Sequence, residues 1–327
     1  MRRHLRADSP DERVVRAVHL PAGSRRHSAA ALHDLGGWQG GHRARHQRAS
    51  RRRRLLRRRL RLRLTWLSGT PVLSAELLYA ELDASTAALA ALVAREDADL
   101  QIPTCPGWSI RQLATHVGRA HRWAAEIVAT RSARFIEFRS VPDGKLPTVA
   151  AERPRWLTDG AARLIDAVKD AGDNRVWAFG TMRPAVFWAR RMAHETLVHC
   201  ADAQIAAGEA VDIQGQEAAD AIDEWLTVMS RLNAGGHDLA AIVPAGSSMH
   251  VQVTGPGPGT TGEWLVMHSA SDGVEVLSGR GGGGTRLAGP AADVLLVLMG
   301  RRSPADGAVQ VTGDAGLLER WLQLTAF

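Results

Sequence analysis

The sequence predicts a bundle of long helices followed by a small α+β domain, with an arginine-rich extension in front. Three observations carry this. From Leu73 to about residue 236 apolar residues recur every three or four positions in long blocks. After Gly236 the pattern shifts to short valine-rich runs bounded by glycine. Positive charge, finally, is concentrated ahead of residue 70. The expected divisions are 1–71 for the extension, 72–236 for the helical bundle and 237–327 for the α+β domain.

The 327-residue chain carries a formal charge of +7 at pH 7, which on its own suggests a nucleic-acid binder. Residues 1–70 hold 19 arginines against 4 acidic residues, whereas the rest holds 22 basic against 30 acidic. The body is therefore acidic, and no nucleic-acid partner is expected for it. "RRRRLLRRRLRLRL" (Arg51 to Leu64) reads as a basic arm for nucleic acid or membrane, as a disordered solvated extension, or as translated upstream sequence. The last is favoured, with the start near Val72, because two lysines (Lys145, Lys169) against 39 arginines indicate a GC-rich genome. The extension lacks the layout of a secretory signal, and no apolar run reaches spanning length. Cys105 and Cys200 are too few for a disulfide framework. A cytoplasmic protein is expected, with no membrane partner.

The elements follow in order. "LSAELLYAELDASTAALAALVARE" has the amphipathic helical period. "IPTCPGWS" interrupts it, and Ser109 is a suitable N-cap for "IRQLATHVGRAHRWAAEIVATR". "RWLTDGAARLIDAVKDAG" gives a third helix that stops at Gly172, and a fourth starts near Pro184 and ends at Gly208. "GQEAADAIDEWLTVMSRLN" adds a fifth. Beyond it, "SMHVQVTG", "GEWLVMHS", "GVEVLSG" and "AVQVTG" read as strands, with "GPAADVLLVLMGR" and "DAGLLERWLQLTAF" as helices among them. The "GGGG" at 281–284 lacks a following GK[ST] and is expected to be a flexible hairpin connection rather than a phosphate cradle.

The chemistry concentrates in "ARRMAHETLVHCADA" (Ala189 to Ala203) on the fourth helix. It nearly spells the HExxH of zinc proteases but is one residue too long. His194 and His199 are separated by five positions, roughly 140° around a helix, and cannot chelate one ion together. Glu195 and His199, at i and i+4, are only about 40° apart and can serve as two ligands of one metal, or simply be solvated or bonded to each other. A third ligand must then come from elsewhere. On the second helix Leu113, His116, Val117 and Ala120 share an inward stripe. An inward histidine is ordinarily a hydrogen-bonded core residue. On the fourth helix Phe187, Arg191, Glu195, Val198 and Asp202 share another, which would bury charges that need partners or a metal. His116, Glu195 and His199 explain one another if they converge on an ion, with Asp202 orienting His199. Three ligands leave an open position, as catalytic sites do.

"CPGWSIRQLATHVGRAHRW" together with "ARRMAHETLVHCADA" resembles the mycothiol-dependent maleylpyruvate isomerase family, within the DinB-like metal-binding four-helix bundles. "GPAADVLLVLMGRR…VQVTGDAGLLERW" is similar to that family's second domain, itself sterol-carrier-like. The resemblance covers about Leu73 to Phe327 and implies an up-down bundle in which His116, Glu195 and His199 bind a divalent metal, usually zinc. It further implies mycothiol as thiol cosubstrate: its thiolate adds to the cis double bond of an unsaturated diacid, the bond rotates, and elimination returns the thiol. Arg191, Arg301 or Arg302 are candidates for substrate carboxylates. The alternatives are a mycothiol S-transferase acting on electrophiles and a non-catalytic small-molecule-binding or stress-response protein. Cys105 and Cys200 are not expected to be nucleophiles.

Overall fold

The computed structural model describes residues 73–95, 98–232, 243–255, 262–269, 273–279 and 281–325. The extension expected over 1–71 lies outside them. Helix α1, Ala75–Val93, begins at Ser74, whose hydroxyl accepts from the Leu77 amide. Helix α2, Ile110–Ala129, begins at Ser109 as its sequence predicts. There the Ser109 hydroxyl accepts from the Gln112 amide while the Gln112 side chain accepts from the Ser109 amide, so two donors left open by the helix end are satisfied reciprocally. Helix α3, Arg153–Ala171, stops at Gly172, and helix α4, Val186–Ala207, stops at Gly208; both glycines have positive φ. Helix α1 packs on α3 and α4, and α2 packs on the same two. No helix among the described residues is long and apolar enough to cross a membrane.

The junction between α3 and α4 departs from the expected helix start at Pro184. Strands β1 (Arg175–Ala178) and β2 (Thr181–Pro184) pair antiparallel, and Pro184 closes the ladder opposite Arg175. The turn uses Phe179 (φ 47°) and Gly180 (φ 77°), two consecutive positive φ values that suit a tight hairpin. Phenylalanine carries strain there, which its ring offsets by packing on Trp188 (centroids 5.5 Å apart) and Phe187 (5.8 Å). The cluster extends through Trp123, edge-on to Trp188 at 5.0 Å; such pairs add about 1 kcal/mol each beyond their burial. The Trp188 indole N–H donates to the Trp177 carbonyl, and that of Trp123 to the Ile136 carbonyl, so the buried rings leave neither donor unpaired.

Helix α5, Gly215–Leu232, buries Ala218, Ile222, Trp225 and Leu226 in a second core with the sheet that follows. That sheet has the order β5-β4-β3-β6-β7. Its strands are β3 (Ser248–Thr254), β4 (Gly262–Ser269), β5 (Gly273–Ser278), β6 (Thr285–Pro290) and β7 (Gln310–Gly313). Only β3 with β6 is parallel; the other neighbours are antiparallel. Helices α6 (Ala291–Leu298) and α7 (Ala315–Thr325) complete the second core through Val294, Leu295, Leu317 and Trp321. The far end of α4 reaches the same core with Leu197, Val198 and Ala201, while Trp188, Ala189 and Met192 face the helices. Helix α4 thus belongs to both parts, and its chemistry lies where they meet.

The glycine run at 281–284 is not a hairpin turn: β5 and β6 are separated in the sheet by β4 and β3. The run crosses the sheet end at close quarters. A Cβ on Gly283 would lie 2.9 Å from the His250 amide nitrogen, and one on Gly313 would lie 1.8 Å from the Gly284 carbonyl oxygen.

Candidate metal centre

His116 projects from α2, and Glu195, His199 and Asp202 project from successive turns of α4. The structure brings His116, Glu195 and His199 together, with ligand atoms within 4.8 Å of one another. His116 Nε2 is 3.1 Å from Glu195 Oε1, and the two imidazole rings stand nearly perpendicular, 5.4 Å between centroids. Trp108, edge-on to His116 at 5.1 Å, and Phe138, at 6.0 Å, line that side of the cluster with apolar surface. Trp108 lies in the loop ahead of α2 that Pro103, Pro106 and Gly107 shape.

Glu195 and His199 are each held by a charged neighbour. Arg191, one turn before Glu195 on α4, donates from one guanidinium nitrogen to Glu195 Oε2 at 2.6 Å and from another to Glu224 Oε2 at 2.7 Å. Burial pushes the Glu195 carboxyl up, but the Arg191 guanidinium, with His116 and His199, outweighs it and holds the group well below the usual carboxylate range. Burial lowers His199 against the opposing pull of Asp202, which favours a neutral imidazole. His199 Nδ1 is 2.9 Å from Asp202 Oδ2, so the ring donates there and its Nε2 is the nitrogen left for the cluster.

Asp202 collects donors from three parts of the chain. Thr104 Oγ1 donates to it at 2.5 Å and Cys105 Sγ at 3.3 Å from the loop before α2. Arg301 donates through Nε and a terminal nitrogen, each at 3.0 Å, in the two-pronged arrangement that suits a carboxylate. Burial pushes the Asp202 carboxyl up, yet His199 and Arg301 hold it well below the usual range. Arg301 follows α6, where Gly300 (φ 73°) turns the chain in a conformation glycine adopts without strain.

The remaining residues singled out from the sequence fall elsewhere. Arg302 pairs with Asp293 on α6. His194 is buried against α5, its Nε2 3.0 Å from Asp220 Oδ2 and its Nδ1 3.6 Å from Glu224 Oε2, and it belongs to no candidate metal group among the described residues. Burial pushes Cys105 up to about 12, helped by the Asp202 charge, and pushes Cys200 up to about 12 as well. Sequence reasoning passed over Thr104, Trp108, Asp220 and Glu224. The two acids were legible in principle, since they lie four residues apart on the buried, otherwise apolar face of their helix.

Residues 79–204 match the mycothiol maleylpyruvate isomerase N-terminal domain, and residues 216–320 match the MDMPI C-terminal domain. Two solved structures are similar to the chain. One is a histidine-to-alanine mutant of the mycothiol-dependent maleylpyruvate isomerase, at 14% identity and TM-score 0.46. The other is the mycothiol-dependent maleylpyruvate isomerase itself, at 15% and 0.44. Each alignment covers 73% of this chain and 93% of the other. No curated protein matches.

Proposed function

The chain belongs to the mycothiol-dependent maleylpyruvate isomerase family, and on that premise we propose that it is a mycothiol-dependent enzyme of the isomerase type whose site holds a divalent metal. The observation that carries the reading is the convergence of His116, Glu195 and His199 from two helices. The donor set fits such an ion: two imidazoles and a carboxylate suit zinc, and three protein ligands leave one position open. When bound, the metal supplies an open position for the cosubstrate's sulfur and favours thiolate over thiol near neutral pH.

The chain's own residues prepare that chemistry. Arg191 keeps Glu195 ionised, so the carboxylate has no proton to shed before it binds. Asp202 accepts a hydrogen bond from His199 Nδ1 and fixes the tautomer with Nε2 available, and Arg301 fixes Asp202 in turn. Both arginines are engaged by carboxylates, so their role in this reading is to orient ligands. Trp108 and Phe138 exclude water from one side and lower the local dielectric. Burial pushes both protein thiols up to about 12, which makes Cys105 and Cys200 poor sources of thiolate at neutral pH and favours the cosubstrate's sulfur as the nucleophile. It adds to one carbon of the cis double bond, and the electrons of that bond pass to the conjugated carbonyl. Rotation about the resulting single bond and expulsion of the sulfur give the trans product and return the thiol.

The experiment is turnover of maleylpyruvate and of a model electrophile, with and without mycothiol and a chelator. The expected result is a rearranged diacid with free thiol returned, dependent on both metal and mycothiol. A stable thioether as product assigns the site to S-transfer instead, and turnover without added thiol overturns the proposal.

A further inference from the structure

Helix α5 contributes nothing to the candidate ligand set, yet it sends three acidic side chains against the helix that carries two ligands. Asp220 and Asp223 are bonded to Arg190, and Glu224, 3% exposed, is bonded to Arg191. Arg191 therefore lies between two carboxylates, each of which receives one of its terminal nitrogens. Glu195 is divided in a matching way: Oε2 accepts from Arg191 and Oε1 faces His116 Nε2.

That division calls for a cause. A guanidinium with one carboxylate neighbour tends to take both its oxygens in a two-pronged contact. Arg191 and Glu195 are one helical turn apart and permanently within reach, so an unoccupied Arg191 would compete for Oε1. Glu224 takes the other terminal nitrogen, which closes the fork of two terminal nitrogens to Glu195 and fixes the plane of the guanidinium. We propose that Glu224 is a positioning residue for the metal centre: by holding one arm of Arg191 it restricts that guanidinium to a single oxygen of Glu195 and leaves the other directed at the ion. The proposal rests on the metal reading above and extends the site to a helix that supplies none of the candidate ligands.

The test measures zinc affinity by competition with a chromophoric chelator in the full chain, with circular dichroism confirming the fold. Glu224→Gln removes the charge that holds Arg191 and is expected to weaken zinc binding by about 10–100-fold, the range for residues that orient metal ligands. Glu224→Asp, one methylene shorter, is expected to weaken it as well and serves if the glutamine variant does not fold. Asp220→Asn cuts the same network at Arg190 and His194 without touching Arg191. It is expected to lower the melting temperature while zinc affinity stays within about twofold of the parent. Equal losses of affinity in Asp220→Asn and Glu224→Gln would reduce the effect to general loosening of the α4–α5 contact and overturn the proposal. Parent affinity in Glu224→Gln overturns it too, provided His199→Ala loses the ion. If His199→Ala keeps the ion, the metal reading itself has failed.

Discussion

Replacing Gly118 by alanine tests the packing that places His116. Gly118 lies two residues along α2 from His116, where α2 meets α3. A Cβ there would lie 2.1 Å from one ring carbon of Trp156 and 2.5 Å from another, against the 3.4–4 Å of ordinary contact. The indole would have to shift by more than an ångström. It is poorly free to do so, because its N–H donates to the Asp143 carbonyl at 3.0 Å and the Arg122 guanidinium stacks 4.1 Å from the ring centre. Overpacking of this kind costs about 1–3 kcal/mol, and disturbing the indole hydrogen bond adds about 1 kcal/mol. Alanine's better helix propensity returns about 0.5–1 kcal/mol. The expected net loss is about 1–3 kcal/mol, a fall of about 2–10 °C in melting temperature for a unit of this size. Thermal and urea unfolding would measure it. In a Trp156→Phe background, which withdraws the clashing ring atoms, the same substitution should cost at least about 1 kcal/mol less. A Gly118→Ala protein as stable as the parent would refute the close approach of α2 and α3 and with it the placement of His116.

Four further outcomes are expected. His116→Ala and His199→Ala should each lose the metal by elemental analysis, whereas His194→Ala, which removes a partner of Asp220 and Glu224, should keep it; full retention in His199→Ala would sink the ligand assignment. Cys105→Ser and Cys200→Ser should both retain mycothiol-dependent turnover, and loss of activity in either with metal and fold intact would point to a protein-borne nucleophile. Chelation should abolish turnover and added zinc should restore it. Glu81, which burial raises from 4.5 to about 7 despite a hydrogen bond from Ser85, holds its proton in the folded state longer than in the unfolded, so its stabilising contribution is full below about pH 4.5 and lost as pH rises through about 7. Glu81→Gln should therefore gain stability relative to the parent across that window, reaching about 1–3 kcal/mol above pH 7, and a gain that does not grow with pH in paired melting curves would contradict it.

The helix ends that were legible are those marked locally. Ser109 with Gln112, Gly172 and Gly208 are local devices whose partners lie within four residues, so no tertiary knowledge is needed to read them. The hairpin between α3 and α4 was not legible for the opposite reason. Its turn pairs a phenylalanine with a glycine in place of the usual Asn-Gly, and Phe179 at positive φ packs on Trp177, Phe187 and Trp188, a ring cluster that reaches as far as Trp123 on α2. Strand β6 was hidden in the same way. "TRLAGP" has little alternation to offer, and it is a strand because its parallel and antiparallel neighbours satisfy its backbone on both sides.

The site divides along a similar line. His116, Glu195 and His199 could be proposed from helical spacing because angular position on a helix is a property of sequence separation alone. What holds them could be read only in part. Asp202 sits one turn from His199 and was accessible to that argument, but its other donors, Thr104, Cys105 and Arg301, are 98, 97 and 99 residues away. The arginines show where local reasoning leaves a role open. A guanidinium near a site for an acidic substrate invites the inference that it binds substrate, yet Arg191 and Arg301 are each taken up by buried carboxylates already, and leaving either unpartnered would strand those charges at a cost of several kcal/mol. Arg301 comes from beyond α6 and Glu224 from α5, both within the segment matching the MDMPI C-terminal domain, whereas every candidate ligand lies in the segment matching the N-terminal domain. Severing the two parts would accordingly leave all three ligands in place while Asp202 and Arg191 each lose a counter-charge. On the proposed metal reading, the second part serves the site by fixing the groups that fix the candidate ligands.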